Sequence, residues 1–79
     1  MAEKLCLNDI EPGERARVKE LLCSGNIRRR MLDIGLTPDA LVECVGRSPA
    51  GDPSAYLIRG AVIAIRSADG RNILLGERE

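Results

Sequence analysis

Glycine and proline interrupt this 79-residue chain at intervals of about ten residues, which leaves room only for short elements. The breaks fall at Pro12-Gly13, Gly25, Gly35 to Pro38, Gly51 to Pro53, Gly60 and Gly70. Turn residues at such regular spacing are typical of a small sandwich or barrel of short strands. No linker or repeat separates the breaks, so we expect a single domain over residues 1–79, with its core over about residues 5–75.

Alternation of apolar and polar residues predicts five strands, at residues 14–22, 40–47, 55–59, 61–66 and 73–75. In the first strand, Ala16, Val18 and Leu22 share the apolar face. The opposite face carries what we call the basic stripe, which consists of Arg15, Arg17 and Lys19. Closing five such strands into a small barrel would hide the edges of the sheet. The charged residues 77–79 are expected to form a frayed tail.

A short helix is predicted before Gly35, where Ile27, Met31 and Ile34 recur at helical spacing. Gly35 suits the left-handed position after a helix, and Leu36 is expected to return toward Met31 in a Schellman motif. A helix of about three turns is marginal in isolation. Its apolar stripe is therefore expected to lie on the sheet.

Two turns can be read from their glycines. Glu11-Pro12-Gly13-Glu14 has proline and glycine in the order of a type II turn, which requires a positive φ at Gly13. Gly60 falls between two predicted strands and indicates a tight hairpin. A strand is expected directly after the first turn, and the second turn joins two strands.

Composition excludes most catalytic classes. The chain has no His, Phe or Trp, and Tyr56 is its only aromatic residue. Without histidine, serine–histidine and cysteine–histidine catalysis cannot be assembled. Twelve basic and twelve acidic residues give a net charge of zero, so no overall field attracts nucleic acid or a membrane surface. We therefore expect a protein that is not an enzyme.

The cysteines do not form a metal-binding motif. Cys6, Cys23 and Cys44 are widely spaced and include no C-x-x-C pair, so we interpret them as reduced, partly buried thiols. No apolar run approaches the ~20 residues that a membrane-spanning helix needs. The predicted location is the cytoplasm.

Three segments together resemble the FeoA family. They are Arg30 to Asp39, with the sequence RMLDIGLTPD, then Gly51-Asp52-Pro53, and then Arg59 to Arg66. The resemblance extends over about residues 5–75. It implies a mainly β protein, a small five-stranded SH3-like barrel with one short α-helix, of the kind associated with bacterial ferrous iron uptake. The same module also forms the C-terminal domain of some metal-dependent repressors.

The chain departs from the family pattern at two positions. Asp39 replaces a usual glycine, and aspartate tolerates a positive φ better than most residues. Gly70 replaces a more usual alanine, and we expect it to loosen the turn before the last strand. Neither change alters the predicted fold.

Two basic patches are the candidate partner-binding sites. One is the basic stripe, and the other, which we call the helix patch, consists of Arg28, Arg29 and Arg30. Arginine forms bidentate hydrogen bonds with carboxylates, so either patch could bind an acidic partner. The alternative interpretation is a solvated face in each case, with Arg29 paired to Asp33 one helical turn away.

Three other residues have both a functional and a structural interpretation. Asp52 and Asp69 could bind ferrous iron weakly, although aspartates in loops commonly cap turns. Tyr56 could anchor a partner, although a single tyrosine in a strand more often packs half-buried. We favour the structural interpretation for all three and assign no metal-binding or cofactor-binding residue.

The resemblance implies a non-catalytic accessory or interaction module that acts with the FeoB transporter at its cytosolic side. It implies no built-in cofactor and at most weak ferrous-iron binding. We expect no nucleic-acid partner and no direct insertion into the membrane. One alternative is a regulatory SH3-like domain of the repressor type, acting on another protein. Another is nucleic-acid binding by a small barrel, which ten arginines permit and the net charge disfavours.

Overall fold

The computed structural model describes residues 5–79, which form one antiparallel sheet and two helices. The strands are β1 (Leu5–Cys6), β2 (Arg15–Leu21), β3 (Leu41–Arg47), β4 (Ser54–Ile58), β5 (Ala61–Ile65) and β6 (Ile73–Arg78). The helices are α1 (Gly25–Asp33) and α2 (Ser67–Gly70), and a 3-10 helix covers Leu7–Asp9. The order across the sheet is β1-β6-β2-β3-β4-β5.

The predicted mainly β fold is confirmed, with six strands instead of five. The additional strand, β1, pairs Leu5 with Leu75 and Cys6 with Leu74 of β6. It is only two residues long because the chain turns into the 3-10 helix at Leu7. The hydrogen-bonded ladder of the described residues therefore ends at β1 and β5. The predicted closure of the sheet is corrected on this point.

The core lies on one side of the sheet and is almost entirely aliphatic. Strand residues that point inward alternate with exposed ones, as the period of two requires. The buried apolar residues are Leu7, Ile10, Ala16, Val18, Met31, Leu36, Val42, Cys44, Tyr56, Ile58, Ile65, Ile73 and Leu75. Every strand except β1 contributes at least one of them, so a single core unites the fold.

The apolar face of β2 changes along the strand. Ala16 and Val18 are buried as predicted, but Leu22 is 51% exposed and Leu21 packs against the core instead. The pairing of β2 with β6 is irregular on both sides of Val18. Such irregularities shift the alternation by one residue, since each bulge adds an unpaired position. The prediction for Leu22 was therefore wrong.

Helix α1 ends in the predicted Schellman motif. Gly35 has φ +106°, its N–H donates to the Leu32 carbonyl at 3.0 Å, and the Leu36 N–H donates to the Met31 carbonyl at 3.0 Å. Met31 is buried, whereas Ile27, predicted on the same stripe, is exposed. Only the C-terminal half of α1 reaches the core, so the first turn of the predicted stripe faces solvent.

The φ angles of the turn residues agree with the turn types predicted from the sequence. Gly13 has φ +93°, and the Glu14 N–H donates to the Glu11 carbonyl at 2.8 Å. In the hairpin between β4 and β5, Arg59 and Gly60 have φ values of 50° and 85°, the requirement of a type I′ turn. Asp39 has φ 75°, so aspartate does occupy the left-handed region there.

The charged end of the chain is ordered against the sheet. Arg78 pairs with Ala16 across β2 and β6, and its Nε lies 3.1 Å from Glu14 Oε1. The Glu79 N–H donates to the Arg15 carbonyl at 2.8 Å. The expected frayed tail at residues 77–79 is thus corrected, because β6 continues to Arg78 and the Glu79 N–H also bonds to β2.

Gly70 is buried in close contact with the 3-10 helix. A Cβ atom placed on it would collide with the side-chain oxygen of Asn8. The Asn8 amide donates to the Ser67 carbonyl at 2.9 Å, which fixes that side chain over α2. A glycine at position 70 therefore makes this contact possible.

We predict that Gly35→Ala costs more stability than Gly13→Ala. Both glycines have positive φ, which costs an alanine about 1 to 2 kcal/mol. At Gly35 the new Cβ would also lie 2.8 Å from Arg59 Cδ and 3.1 Å from Ile58 Cγ2, whereas at Gly13 nothing lies within 4 Å. Urea denaturation should show about 1 kcal/mol or more of additional loss at Gly35. Equal losses would show that the contact is unimportant.

We also predict that Glu14 makes the fold sensitive to acid. The Glu11 N–H donates to Glu14 Oε1 at 2.7 Å, and this bond, followed by Arg78, lowers the pKa of Glu14 from its ordinary 4.5. A carboxyl with a lowered folded-state pKa contributes stability above its unfolded pKa, which is lost as pH falls through the folded value. Glu14→Gln should flatten the acid side of the stability profile measured by urea unfolding.

The control for this profile is Glu20→Gln, at an exposed glutamate of β2, the strand that begins directly after Glu14. It should retain the acid dependence of the original chain. If Glu14→Gln and Glu20→Gln have the same profile, the role assigned to Glu14 is wrong.

Candidate functional site

The thiols and carboxylates of residues 5–79 form no cluster of three or more that could hold a metal ion. All three cysteines are free, with Cys44 buried and Cys6 and Cys23 partly buried. Burial raises the pKa of the Cys6 thiol, which favours its protonated form over the thiolate that binds metals. Cys44 lies in the core and Cys23 packs against it.

Asp52 caps a helix rather than its own turn. Its carboxylate accepts the Ser67 N–H at 2.8 Å and the Ser67 hydroxyl at 3.3 Å. These bonds satisfy the N-terminus of α2 and tie it to the loop before β4. The preference for a capping role at Asp52 agrees with this geometry, although the capped element is distant in sequence.

Tyr56 is 1% exposed rather than half-buried as predicted. Its hydroxyl donates to the Leu7 carbonyl at 3.2 Å, and burial raises the pKa of the phenol. A side chain in this position cannot anchor a partner. The alternation of residues in β4 predicted partial exposure. It carries no information about the 3-10 helix, which covers Tyr56 in the folded chain.

Arg47 stabilises the fold at the edge of the core. Arg47 donates to the Ile10 carbonyl at 2.9 Å and to the Ser54 hydroxyl at 3.0 Å. It also lies 3.5 Å from the Glu11 carboxylate. Its guanidinium thus joins the 3-10 segment to β3 and β4, and it is not available to a partner.

The basic stripe lies on the solvent side of β2, as predicted. Its central residue is engaged within the chain, because Arg17 Nε lies 2.9 Å from Glu79 Oε2 and Arg17 Nη1 donates to the Asp39 carbonyl at 3.0 Å. Within residues 5–79, no ion pair is recorded for Arg15 or Lys19. Within residues 5–79, Arg15 and Lys19 are therefore free of ion pairs, one on each side of Arg17, whose charge is neutralised by Glu79.

A groove of about 450 Å³, which we call the face groove, lies beside the stripe. Its lining includes Arg15, Arg59 and the exposed leucines Leu41 and Leu57. Neither leucine is among the candidate site residues predicted from the sequence. Apolar residues at outward-facing strand positions were the signal that could have identified this surface.

The helix patch is exposed on α1, and its charges have no internal partner in the described chain. The predicted pair of Arg29 with Asp33 is not formed at ion-pair distance, since the recorded pairs within residues 5–79 involve other residues. Arg30 also lines a second groove of about 450 Å³ between α1 and β5, which we call the edge groove. The structure thus brings one predicted site residue, Arg30, next to the free edge of the sheet.

Residues 5–76 match the model of the FeoA domain, which is nearly the whole chain. The chain belongs to the FeoA family. No curated protein matches it.

Solved FeoA structures share the fold. A FeoA-like protein from Clostridium acetobutylicum is 26% identical, with a TM-score of 0.85 over 96% of this chain and 88% of that one. Iron(II) transport protein A from Clostridium thermocellum is 31% identical, with a TM-score of 0.85 over 95% of this chain. This chain covers 44% of that longer protein.

Two more distant matches concern the fold alone. Stenotrophomonas maltophilia FeoA, complexed with zinc and described as an SH3 domain protein, is 20% identical, with a TM-score of 0.79 over 95% of both chains. A manganese-dependent transcriptional repressor is 16% identical, with a TM-score of 0.82 over 96% of this chain and 42% of that one. The SH3-like fold predicted from the FeoA resemblance is confirmed.

Family membership links this FeoA chain to ferrous iron transport. None of the helices in residues 5–79 is long and apolar enough to cross a bilayer. The zinc in the S. maltophilia protein is a property of that protein. The residues described here offer no cluster of three ligands for a comparable ion.

We predict that arginine is required at position 47 for stability and not at position 28. Arg47→Lys removes the forked geometry that reaches both the Ile10 carbonyl and the Ser54 hydroxyl. It should lower the free energy of unfolding by about 2 kcal/mol, since buried acceptors lose a charged donor. Arg28→Lys on the exposed helix patch should be neutral within about 0.5 kcal/mol. Equal effects in thermal and urea denaturation would refute this division between structural and available arginines.

Proposed function

We propose that this chain is a non-catalytic accessory module of bacterial ferrous iron uptake, which acts in the cytoplasm with the cytosolic part of a FeoB-type transporter. Membership of the FeoA family supports the process. The observation that carries the mode of action is the helix patch, three neighbouring arginines without a carboxylate partner in the described chain. The chain contributes a surface to its partner and has no resident cofactor.

The chemistry of the helix patch favours an acidic partner. Guanidinium groups form paired hydrogen bonds with carboxylates, and the positive charge also increases the rate of encounter. The net charge of the whole chain is zero, so this attraction is local and falls off within ~10 Å at moderate ionic strength. Such a surface recognises its partner through short-range hydrogen bonds and ion pairs, not through long-range electrostatic attraction.

The helix patch is a better binding surface than the basic stripe. Glu79 and the Asp39 carbonyl already occupy Arg17 at the centre of the stripe, so a partner would have to displace them. No recorded hydrogen bond or ion pair within residues 5–79 uses the side chains of Arg28 or Arg29. We therefore place the stripe, including Arg15 and Lys19, at the periphery of the interface or outside it.

We predict that reversing the charges of the helix patch weakens partner binding without unfolding the chain. The triple variant Arg28→Glu, Arg29→Glu, Arg30→Glu should weaken binding to the purified transporter in nanodiscs by at least about tenfold, because acidic groups would then face acidic groups. Titration calorimetry measures this affinity. Arg71→Glu, at an exposed position beyond α2, is the control and should bind as the original chain does.

Three results would contradict the proposal. Absence of binding by the original chain would remove the transporter as partner. Preference for a helix-turn-helix repressor in a competition experiment would favour the regulatory alternative. Equal affinities for the triple variant and the Arg71→Glu control would show that the partner binds elsewhere.

A further inference from the structure

Strand β5 is a free edge of the sheet. Among residues 5–79, β4 is its only hydrogen-bonded neighbour, with Ile58 opposite Ala61 and Ser54 opposite Ile65. At the other edge, β1 has only two residues. The five residues of β5 are thus the longest stretch of strand that lacks a partner on one side.

The register shows which backbone groups are unpaired. Cys44 exchanges backbone hydrogen bonds with residues 13 and 14, on the side of β2. In an antiparallel ladder, successive residues bond to opposite neighbours. Glu43 and its partner Leu57 therefore bond to each other, and Tyr56 bonds to β5. Continuing the alternation, residues 61, 63 and 65 bond to β4, while Val62 and Ala64 direct their N–H and C=O groups outward.

The edge lacks the usual protection against strand addition. Its sequence, Ala-Val-Ile-Ala-Ile, has no charge and no proline, and its pairing with β4 has no bulge. Val62 is 64% exposed, and Ala64 is exposed as well. Natural proteins commonly block exposed edges with lysine, proline, a bulge or a covering element. An unblocked apolar edge on a folded chain is a ready site for an additional strand.

The charges beside this edge indicate the chemistry of the strand that fits there. The edge groove is lined by Arg30 of α1, by Arg66 at the end of β5 and by Asp69 of α2, around the apolar Ile63 and Ile65. Neither arginine makes a recorded ion pair with another residue of the described chain. Two cations against one anion favour a ligand that brings carboxylates to an apolar groove.

We propose that β5 accepts an extended acidic segment of the partner as a seventh strand, which bonds to Val62 and Ala64 and places carboxylates against Arg30 and Arg66. The inference rests on the proposed function, because it takes the segment to belong to the FeoB-type transporter. Two residues with outward N–H and C=O groups give four main-chain hydrogen bonds. Side chains on alternate positions of the added strand then reach the edge groove, which gives the interaction its specificity.

A second copy of this chain fits the same edge less well. In an antiparallel pair centred on Ile63, Arg66 of one copy would lie opposite Gly60 of the other, next to that copy's Arg59. Like charges would then meet at both ends of the added strand, which opposes association. Charge therefore favours a foreign acidic strand over self-pairing.

The test measures hydrogen exchange in the full chain bound to the purified transporter in nanodiscs. Two additional slowly exchanging amides are expected in residues 61–66, those of Val62 and Ala64, because the remaining strand amides of β5 are already bonded to β4. Binding to the face groove would not protect these amides. Slow exchange of the same two amides in the concentrated chain alone would instead identify a second copy as the occupant and overturn the proposal.

Two variants test separately the contribution of the backbone hydrogen bonds and the contribution of the arginine charge to binding. Ala64→Pro removes an outward N–H without removing a bond to β4, which is the position in a sheet that tolerates proline. It should weaken binding to the transporter by about tenfold or more, as expected from loss of main-chain bonds at the interface. Arg66→Glu should also weaken binding, and Arg71→Glu should leave it unchanged. Circular dichroism checks folding, and the Arg66 variant decides if Ala64→Pro does not fold.

The outcomes distinguish this inference from the function on which it rests. Binding with no additional protected amides, and with Arg66→Glu and any folded Ala64→Pro equal to the original chain, would refute strand addition and leave the accessory role intact. Failure of the original chain to bind the transporter would overturn both. Protected amides together with weaker binding by the variants would support both.

Discussion

The anchoring of residues 7–10 beneath the sheet joins the first described segment of the chain to the core of the fold. The Tyr56 hydroxyl holds the Leu7 carbonyl, and Arg47 holds the carbonyl of Ile10. Leu7 and Ile10 are buried in the core at this place. β1 ends after two residues because the chain turns into the 3-10 helix at Leu7 and enters the core there. Within residues 5–79, β1 and β5 are the two edges of the sheet, and β5 is the longer one.

The same anchoring explains how a chain of this composition is held together. A small domain buries a limited area, so net stability is a small difference between large terms. Here the aliphatic core is supplemented by polar contacts between distant segments, such as Asp52 with Ser67 and Arg47 with Ser54. These contacts hold the loops in place. None of them involves the solvent-facing side chains of α1.

Local features were predictable wherever a single residue imposes a backbone requirement. The Schellman ending at Gly35, the turn at Gly13 and the positive φ at Asp39 all follow from the conformations that these residue types allow. The inward positions of Ala16 and Val18 follow equally from strand alternation. The FeoA resemblance supplied the fold family and the process, which no local pattern contained.

Features that depend on long-range packing were not predictable from the sequence. The shift from Leu22 to Leu21 arises from irregular pairing with β6, and the burial of Tyr56 arises from the 3-10 helix that covers it. Of the candidate site residues, the sequence identified the helix patch and the basic stripe as exposed and basic. It did not show that Glu79 neutralises Arg17, nor that Arg30 lies beside an unpaired strand. Both facts require the fold.

We propose that this protein acts through its surface rather than through a reactive group, with α1 and β5 on the side that binds the partner. The most direct measurement is a map of amide chemical-shift changes in the labelled full chain as the purified transporter in nanodiscs is added. We expect the changes to concentrate in residues 28–34 and 61–66. Changes confined to β2 and β3, or no changes at saturating transporter, would contradict this assignment of the binding surface.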